Sequence, residues 1–142
     1  AGLCAWQRVT SVTRNTARLV ACYDQALGEA RVRRLTGMLC AFPILLQEHV
    51  QGFRSKDLAE LLEAALREAA EGDGCFQLPE VAANRPLLAL NRMSREVQAV
   101  PFQDGYESRD RSALYAQIAK LSDTVAECER LVQTPLPLAY FR

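Results

Sequence analysis

The sequence predicts an all-α protein, built from about five amphipathic helices in an antiparallel bundle. Apolar residues recur every three or four positions along five stretches of the chain. Proline, glycine or capping residues separate these stretches, and none of them alternates apolar and polar residues between turn signals as a strand would. Since 142 residues are enough for one hydrophobic core, we expect residues 1–142 to form a single helical domain.

The first two helices are predicted from about Leu3 to Ala26 and from about Glu29 to Gln51. The apolar stripe of the first comprises Leu3, Trp6, Val9, Val12, Thr16, Leu19 and Tyr23. That of the second comprises Val32, Leu35, Leu39, Phe42, Leu46 and Val50. Pro43 interrupts the second helix. Because proline lacks a backbone donor and crowds the preceding turn, we expect a kink or a break there, with Phe42 and Leu46 buried.

The third and fourth helices have clear start signals. Ser55 can cap the third, which Gly72-Asp73-Gly74 ends. Its expected buried face comprises Leu58, Leu61, Leu62, Ala65, Leu66 and Ala69. Asn84 can cap the fourth, where Pro86 is tolerated in the first turn, and Pro101 ends it.

The fifth helix has the most regular pattern, which we call the heptad stripe and expect to be buried as one face. It comprises Leu114, Ile118, Leu121, Val125, Cys128 and Val132. Thr134, Pro135 and Pro137 should end this helix, because prolines cannot donate backbone hydrogen bonds. The mainly apolar residues 131–142 fit either a helix end with an apolar tail or a turn towards a membrane helix, with Tyr140 and Arg142 at the headgroup level.

Charge and hydropathy narrow the class of protein. Lys plus Arg and Asp plus Glu number 17 each, so no overall attraction for nucleic acid or anionic lipid is expected, and nucleic acid is not predicted as a partner. The segment from Arg8 to Arg34 is mainly basic and that from Asp57 to Glu80 mainly acidic. They are either two solvated faces that balance each other or a basic surface that faces an anion or a partner.

No membrane span or leader is predicted in this chain. The longest uncharged stretch, Leu35–Gln47, is roughly a dozen residues, whereas a spanning helix needs about 20. The chain begins at Ala1 without a basic and then apolar leader.

No catalytic, metal or cofactor site is predicted, and we do not expect an enzyme. The five cysteines are odd in number and form no CxxC pair, which argues against a disulfide framework or a zinc site. We expect most of them to be small buried thiols in a reducing compartment. The single histidine, His49, follows Glu48 without a second ligand pair and is expected at a surface or helix end. There is no glycine-rich phosphate loop.

Four segments resemble elements of the bestrophin family, in its bacterial, plant and algal branch. The most specific is a CER element followed by TP and P, formed by Cys128, Glu129, Arg130, Thr134, Pro135 and Pro137, with Tyr140 after it. The others are Asn84-Arg85-Pro86, an Ala41-Phe42-Pro43 element with His49, and a stretch with Trp6, Arg14 and Arg18. Their order agrees with the family. Gln133 departs from the glycine of many relatives, and residues 76–81 match nothing in the pattern.

The resemblance implies the cytosolic or stromal helical part of a pentameric chloride or anion channel, between the second and third membrane helices. That part would line a vestibule below the pore neck. Leu87 or Leu88, after the Arg85-Pro86 element, would form an apolar aperture, unless both are core residues of the fourth helix. Arginines of the first two helices could concentrate anions. The expected partners are further copies of the chain, small anions and a membrane, with a plastid or thylakoid membrane as the predicted location.

The alternative is a soluble helical interaction module that docks on a larger membrane assembly through the heptad stripe. Coding sequence for apolar segments of about 20 residues directly before Ala1 and after Arg142 would favour the channel. A stop codon near Arg142 would favour the module.

Overall fold

A computed structural model describes residues 2–52, 55–72, 77–79 and 84–133. The described part of the chain is all-helical, as predicted, and contains six helices and no strand. They are α1 (Gly2–Cys22), α2 (Asp24–Leu27), α3 (Glu29–Gln51), α4 (Lys56–Ala69), α5 (Arg85–Gln98) and α6 (Ser108–Gln133). None of these helices combines the length and the apolar character that a membrane crossing requires.

The helices that pack against each other are mostly antiparallel. The start of α1 lies beside the end of α6, where Arg8 and Glu127 form an ion pair of 2.6 Å. At the other end Tyr23, which directly follows α1, contacts Asp110 near the start of α6. Helices α3 and α5 are joined at opposite ends by the Arg34–Glu96 and Glu48–Arg85 pairs. In both helix pairs, residue numbers rise along one helix where they fall along the other, so the packed helices are antiparallel.

Helix α3 lies at the centre and packs against α1, α4, α5 and α6. Phe42 and Leu46 are fully buried in it, as predicted. Pro43 lies inside a helix that the structure describes as continuous from Glu29 to Gln51, so the proline does not break it. Gly37 of α3 lies against the backbone of α4 at Ala65 and Ala69.

The predicted first helix is interrupted at Tyr23, so the prediction of one helix to Ala26 was wrong. Tyr23 has φ −105° and ψ 22°, and the short helix α2 follows it. The Tyr23 hydroxyl donates a 2.7 Å hydrogen bond to Asp110, and its ring packs edge-to-face on Tyr106 at 5.6 Å. These contacts with distant residues accompany a break that no local proline or glycine marks.

Both predicted N-caps are confirmed. The Leu58 amide donates to Ser55 Oγ at 3.3 Å, and the Leu87 amide donates to Asn84 Oδ1 at 3.2 Å. Within α4, Leu62, Ala65 and Ala69 face α3, whereas Leu61 is exposed. Leu61 was therefore wrongly assigned to the buried face: it lies at the edge of the contact with α3, where it lines an open groove with Gly37 and Cys40.

The heptad stripe is buried from Leu114 to Cys128, as predicted, but Val132 is 57% exposed. Its assignment to the buried face was wrong. The last turn of α6 lies near the level at which α1 and α5 begin, since Arg8 contacts Glu127 and Asn84 contacts Glu129. The predicted turn at Thr134, Pro135 and Pro137, and Tyr140 and Arg142 beyond it, lie outside the described residues.

The expectation of mostly buried cysteines was also wrong. Cys128 is buried, but Cys4, Cys22 and Cys40 are exposed, and Cys75 lies outside the described ranges. None of the three exposed cysteines belongs to an apolar stripe of its helix.

Candidate functional site

The ends of three helices meet at a group of polar side chains, which we call the Glu129 cluster. It joins the end of α3, the start of α5 and the end of α6, and comprises Glu48, His49, Asn84, Arg85 and Glu129. Three of the four segments singled out by the sequence contribute to it. These are the segment with Pro43 and His49, the Asn84-Arg85-Pro86 element and the CER element.

Glu129 is the shared acceptor of the cluster. Its Oε2 lies 2.9 Å from His49 Nε2 and 3.3 Å from Asn84 Nδ2. An ionised carboxylate can only accept, so with Glu129 ionised the donor in this contact is Nε2 of His49. Both partners are half-buried, so this contact is better shielded from solvent than an ion pair on an open surface.

Asn84 links two helices with one amide. Its oxygen accepts from the Leu87 amide, which caps α5, while its nitrogen donates to Glu129 on α6. Both ends of the amide are therefore engaged in a fixed orientation. The first turn of α5 is held at a set position against the last turns of α6.

Arg85 fixes the same turn against α3. Its side chain is buried, and Nη1 lies 3.1 Å and 3.2 Å from the two carboxylate oxygens of Glu48. Pro86, which follows, is buried as well. The next two residues are not: Leu87 is 39% exposed and Leu88 is 38% exposed. Both leucines are thus partly covered and partly open to solvent, and their assignment to an aperture stays a prediction.

The cluster was only partly predictable. Asn84, Arg85 and Glu129 were singled out, and the structure brings them together. Glu48 and His49 were regarded as a poor metal pair and a surface or helix-end histidine. The histidine does lie at a helix end, but its link to Glu129 was missed. Two ionisable residues at the end of a largely apolar helix were the signal that could have indicated it.

The remaining singled-out residues are spread over the bundle. Trp6 packs against the core from α1, while Arg14 and Arg18 on the same helix are exposed. Cys128 is buried beside the cluster, and burial raises the pKa of its thiol. Arg130 is exposed on α6. Arg14 and Arg18 therefore remain open to solvent, whereas Trp6 and Cys128 serve packing.

The arginines at the start of α3 are neutralised by acidic partners. Glu96, which is buried on α5, lies 2.9 Å from Arg34 and 3.5 Å from Arg31. Arg33 pairs with Glu71 at 2.7 Å, and Arg34 also donates to the backbone oxygen of Glu71 at 3.1 Å. The basic and acidic segments of the sequence thus partly face each other. Little of the charge of these arginines remains to attract an anion.

The opposite end of α6 is fixed by Asp110. It accepts from the Tyr23 hydroxyl at 2.7 Å and from the Glu107 amide at 2.8 Å. The backbone hydrogen bond from Glu107, followed by that from Tyr23, lowers the pKa of Asp110, while the bond to Asp110 and burial raise the pKa of Tyr23. Within the described ranges, no group of three or more His, Cys, Asp or Glu side chains is placed to hold a metal ion.

Comparison with known proteins gives one family. The model of the family described as Bacterial/Fungal Bestrophin protein matches residues 2–142. The voltage-dependent chloride channel 1, chloroplastic, of Arabidopsis thaliana is 27% identical over 140 residues, which cover 97% of this chain and 32% of the relative. The voltage-dependent chloride channel 2, chloroplastic, of the same plant has the same identity and coverage.

A third relative comes from Synechocystis sp. This voltage-dependent anion channel-forming protein is 25% identical over 139 residues, which cover 96% of this chain and 43% of the relative. The chain thus spans about a third to two fifths of the curated relatives it matches. No solved structure matches it significantly.

Proposed function

The chain belongs to the bestrophin family, and from that premise we propose that it is the cytosolic or stromal helical portion of a pentameric, bestrophin-like chloride or anion channel. In this proposal the helices line a vestibule below the pore neck, and further copies of the chain surround the same axis. The membrane segments would belong to parts of the protein outside residues 1–142.

The observation that carries the proposal is the position of Leu87 and Leu88. Two leucines follow directly after an anchored turn of α5, yet each remains more than a third exposed. The Glu129 cluster holds that turn against both α3 and α6. A rigidly supported apolar pair on a surface suits a constriction, because an apolar ring disfavours hydrated ions by partial dewetting.

The relatives support the ligand and the location that we propose. The two plant relatives are named as chloride channels of the chloroplast, and the third as an anion channel-forming protein. We therefore propose small anions such as chloride as the permeant species and a plastid or thylakoid membrane as the site. The interaction-module alternative lacks its docking surface, because the heptad stripe is buried inside the chain from Leu114 to Cys128.

The experiment is anion efflux from liposomes that contain the full-length protein, measured for chloride and for a larger anion. Leu87→Ala and Leu88→Ala remove bulk from the proposed aperture. Leu61→Ala is the matched control, because Leu61 is also an exposed leucine but lies on α4. The proposal predicts a raised permeability of the larger anion relative to chloride in at least one aperture variant and no change in the control. If both aperture variants keep the wild-type ratio, these leucines are not the constriction.

A further inference from the structure

The exposed face of α5 carries positive charge without any negative charge. The exposed residues of the helix are Leu87, Leu88, Asn91, Arg95 and Gln98. Its single acidic residue, Glu96, is buried and already paired with Arg34 and Arg31. By contrast, exposed residues of α4 include Asp57, Glu60, Glu63 and Glu68. The outer surface of α5, which also carries the proposed aperture, therefore favours anions.

Helical spacing places one polar and two cationic residues of α5 on the same side as Leu88. Asn91, Arg92 and Arg95 follow Leu88 by three, four and seven positions, which brings all four side chains to one face. Together with residues 77–79 they line a cleft of about 280 Å³, which we call the α5 cleft. Gln77 contributes an amide to it, and Leu78 and Pro79 contribute apolar surface.

The two arginines have different roles in this cleft. Arg95 forms no ion pair with any described residue and is exposed, so its guanidinium donors face solvent. Arg92 is half-buried and already has a partner of its own, so Arg95 is the arginine of this cleft that is open to a ligand. Arg95 thus differs from Arg31, Arg33 and Arg34 on α3, whose charges are matched by carboxylates.

We propose that the α5 cleft is a binding site for a small monovalent anion, with Arg95 as its main ligand and Asn91 and Arg92 beside it. The proposal rests on the proposed function and deepens it: the site would hold a permeant anion next to the apolar constriction. Seven residues of helix separate Arg95 from Leu88, or about 10 Å along the axis. An anion in the cleft would therefore lie within reach of the aperture without being trapped in it.

The chemistry of the residues favours chloride or a planar oxyanion such as nitrate. A guanidinium presents its donors in a fixed planar fork, which can bind two oxygens of a planar oxyanion at once, while a single halide accepts fewer of them. The amides of Asn91 and Gln77 can donate to either anion. An apolar wall at Leu78, Pro79 and Leu88 lowers the competition from water around the bound ion.

The test uses the full-length protein in liposomes and measures anion flux as a function of chloride or nitrate concentration. Arg95→Gln should raise the half-saturating chloride concentration roughly fivefold, the factor that one unit charge about 4 Å from an anion contributes in water. Flux at saturating chloride should stay close to that of the wild type. Arg95→Lys keeps the charge but loses the fork, so it should affect nitrate more than chloride.

The matched control is Arg67→Gln, which removes an exposed arginine of α4 that pairs with Glu63 at 3.6 Å. It should leave both half-saturating concentrations unchanged. Since Arg67 and Arg95 are both exposed, neither substitution should disturb folding, which circular dichroism checks. If the wild type conducts anions and Arg95→Gln behaves like the control, the anion site is refuted while the proposed function stands. If the wild type conducts no anions, the proposed function itself is refuted.

Discussion

Replacing Gly37 by alanine should destabilise the protein, although alanine is the better helix former. Gly37 lies inside α3 at its crossing with α4. A Cβ atom built there would lie 2.6 Å from the backbone oxygen of Ala65 and closer still to the backbone nitrogen of Ala69. Both obstacles are main-chain atoms, which cannot turn aside as the end of a flexible side chain can.

The magnitude follows from two opposing effects. Alanine in a helix is favoured over glycine by about 0.5–1 kcal/mol. Forcing an extra carbon atom into a packed contact costs about 1–3 kcal/mol, and occasionally more. Because both contacts are with backbone, the upper part of that range applies. The net loss should therefore be about 2 kcal/mol, through separation of α3 from α4.

The assay is urea unfolding of the chain followed by circular dichroism at 222 nm. Thr36→Ala is the control, since Thr36 is the exposed neighbour of Gly37 on the same helix, and it should shift the free energy of unfolding by less than about 0.5 kcal/mol. If Gly37→Ala is as stable as the wild type or more stable, the close approach of α3 and α4 is wrong.

Three further predictions concern the rest of the bundle. Leu121→Ala should lower the free energy of unfolding in urea by about 2–5 kcal/mol, because Leu121 is fully buried. Val132→Ala should lower it by less than about 0.5 kcal/mol. Equal losses in the two variants would contradict the burial pattern. Glu129→Ala should lower the free energy of unfolding by about 1–3 kcal/mol, since His49 and Asn84 lose their acceptor. His49→Ala combined with Glu129→Ala should then cost less than the sum of the single losses, and strict additivity would argue against the contact. Asp110 has a lowered pKa, so its contribution to stability is complete above the ordinary aspartate pKa and is lost as the pH falls through the lowered value. In Asp110→Asn, stability should therefore fall less steeply than in the wild type as the pH drops below about 4. An acid unfolding curve identical to that of the wild type would contradict this assignment.

The sequence predicted the features that depend on neighbouring residues. The caps at Ser55 and Asn84 need only a side-chain oxygen and an amide three positions later. The bounds of α3 match the predicted second helix from Glu29 to Gln51, since Gly28 and Gly52 flank it. Such signals remain readable without knowledge of tertiary contacts.

The errors concern features that depend on where other helices lie. Tyr23 interrupts the first helix beside contacts with Asp110 and Tyr106, which are more than 80 positions away in the chain. Val132 continues the heptad stripe in sequence, but it is exposed at the end of α6. Leu61 belongs to an apolar run whose buried side is set by α3. Periodicity describes the helix and not its neighbours, so it cannot indicate these outcomes.

In the candidate site, too, single residues could be predicted from the sequence but their contacts could not. Asn84, Arg85 and Glu129 could be singled out individually from their segments, but the contact between Asn84 and Glu129 joins positions 45 residues apart, and that between His49 and Glu129 joins positions 80 apart. The α5 cleft could not be predicted, because its character depends on Glu96 being buried and paired while Arg95 stays exposed. Both facts require the packing of α5 against α3.

The most direct test of the central claim is the reversal potential of the full-length protein in planar lipid bilayers with unequal potassium chloride on the two sides. If the chain belongs to an anion channel, single-channel currents should reverse near the equilibrium potential of chloride and should persist when potassium is replaced by a large impermeant cation. Currents that reverse near the potassium equilibrium potential, or the absence of any current from folded and inserted protein, would contradict the account.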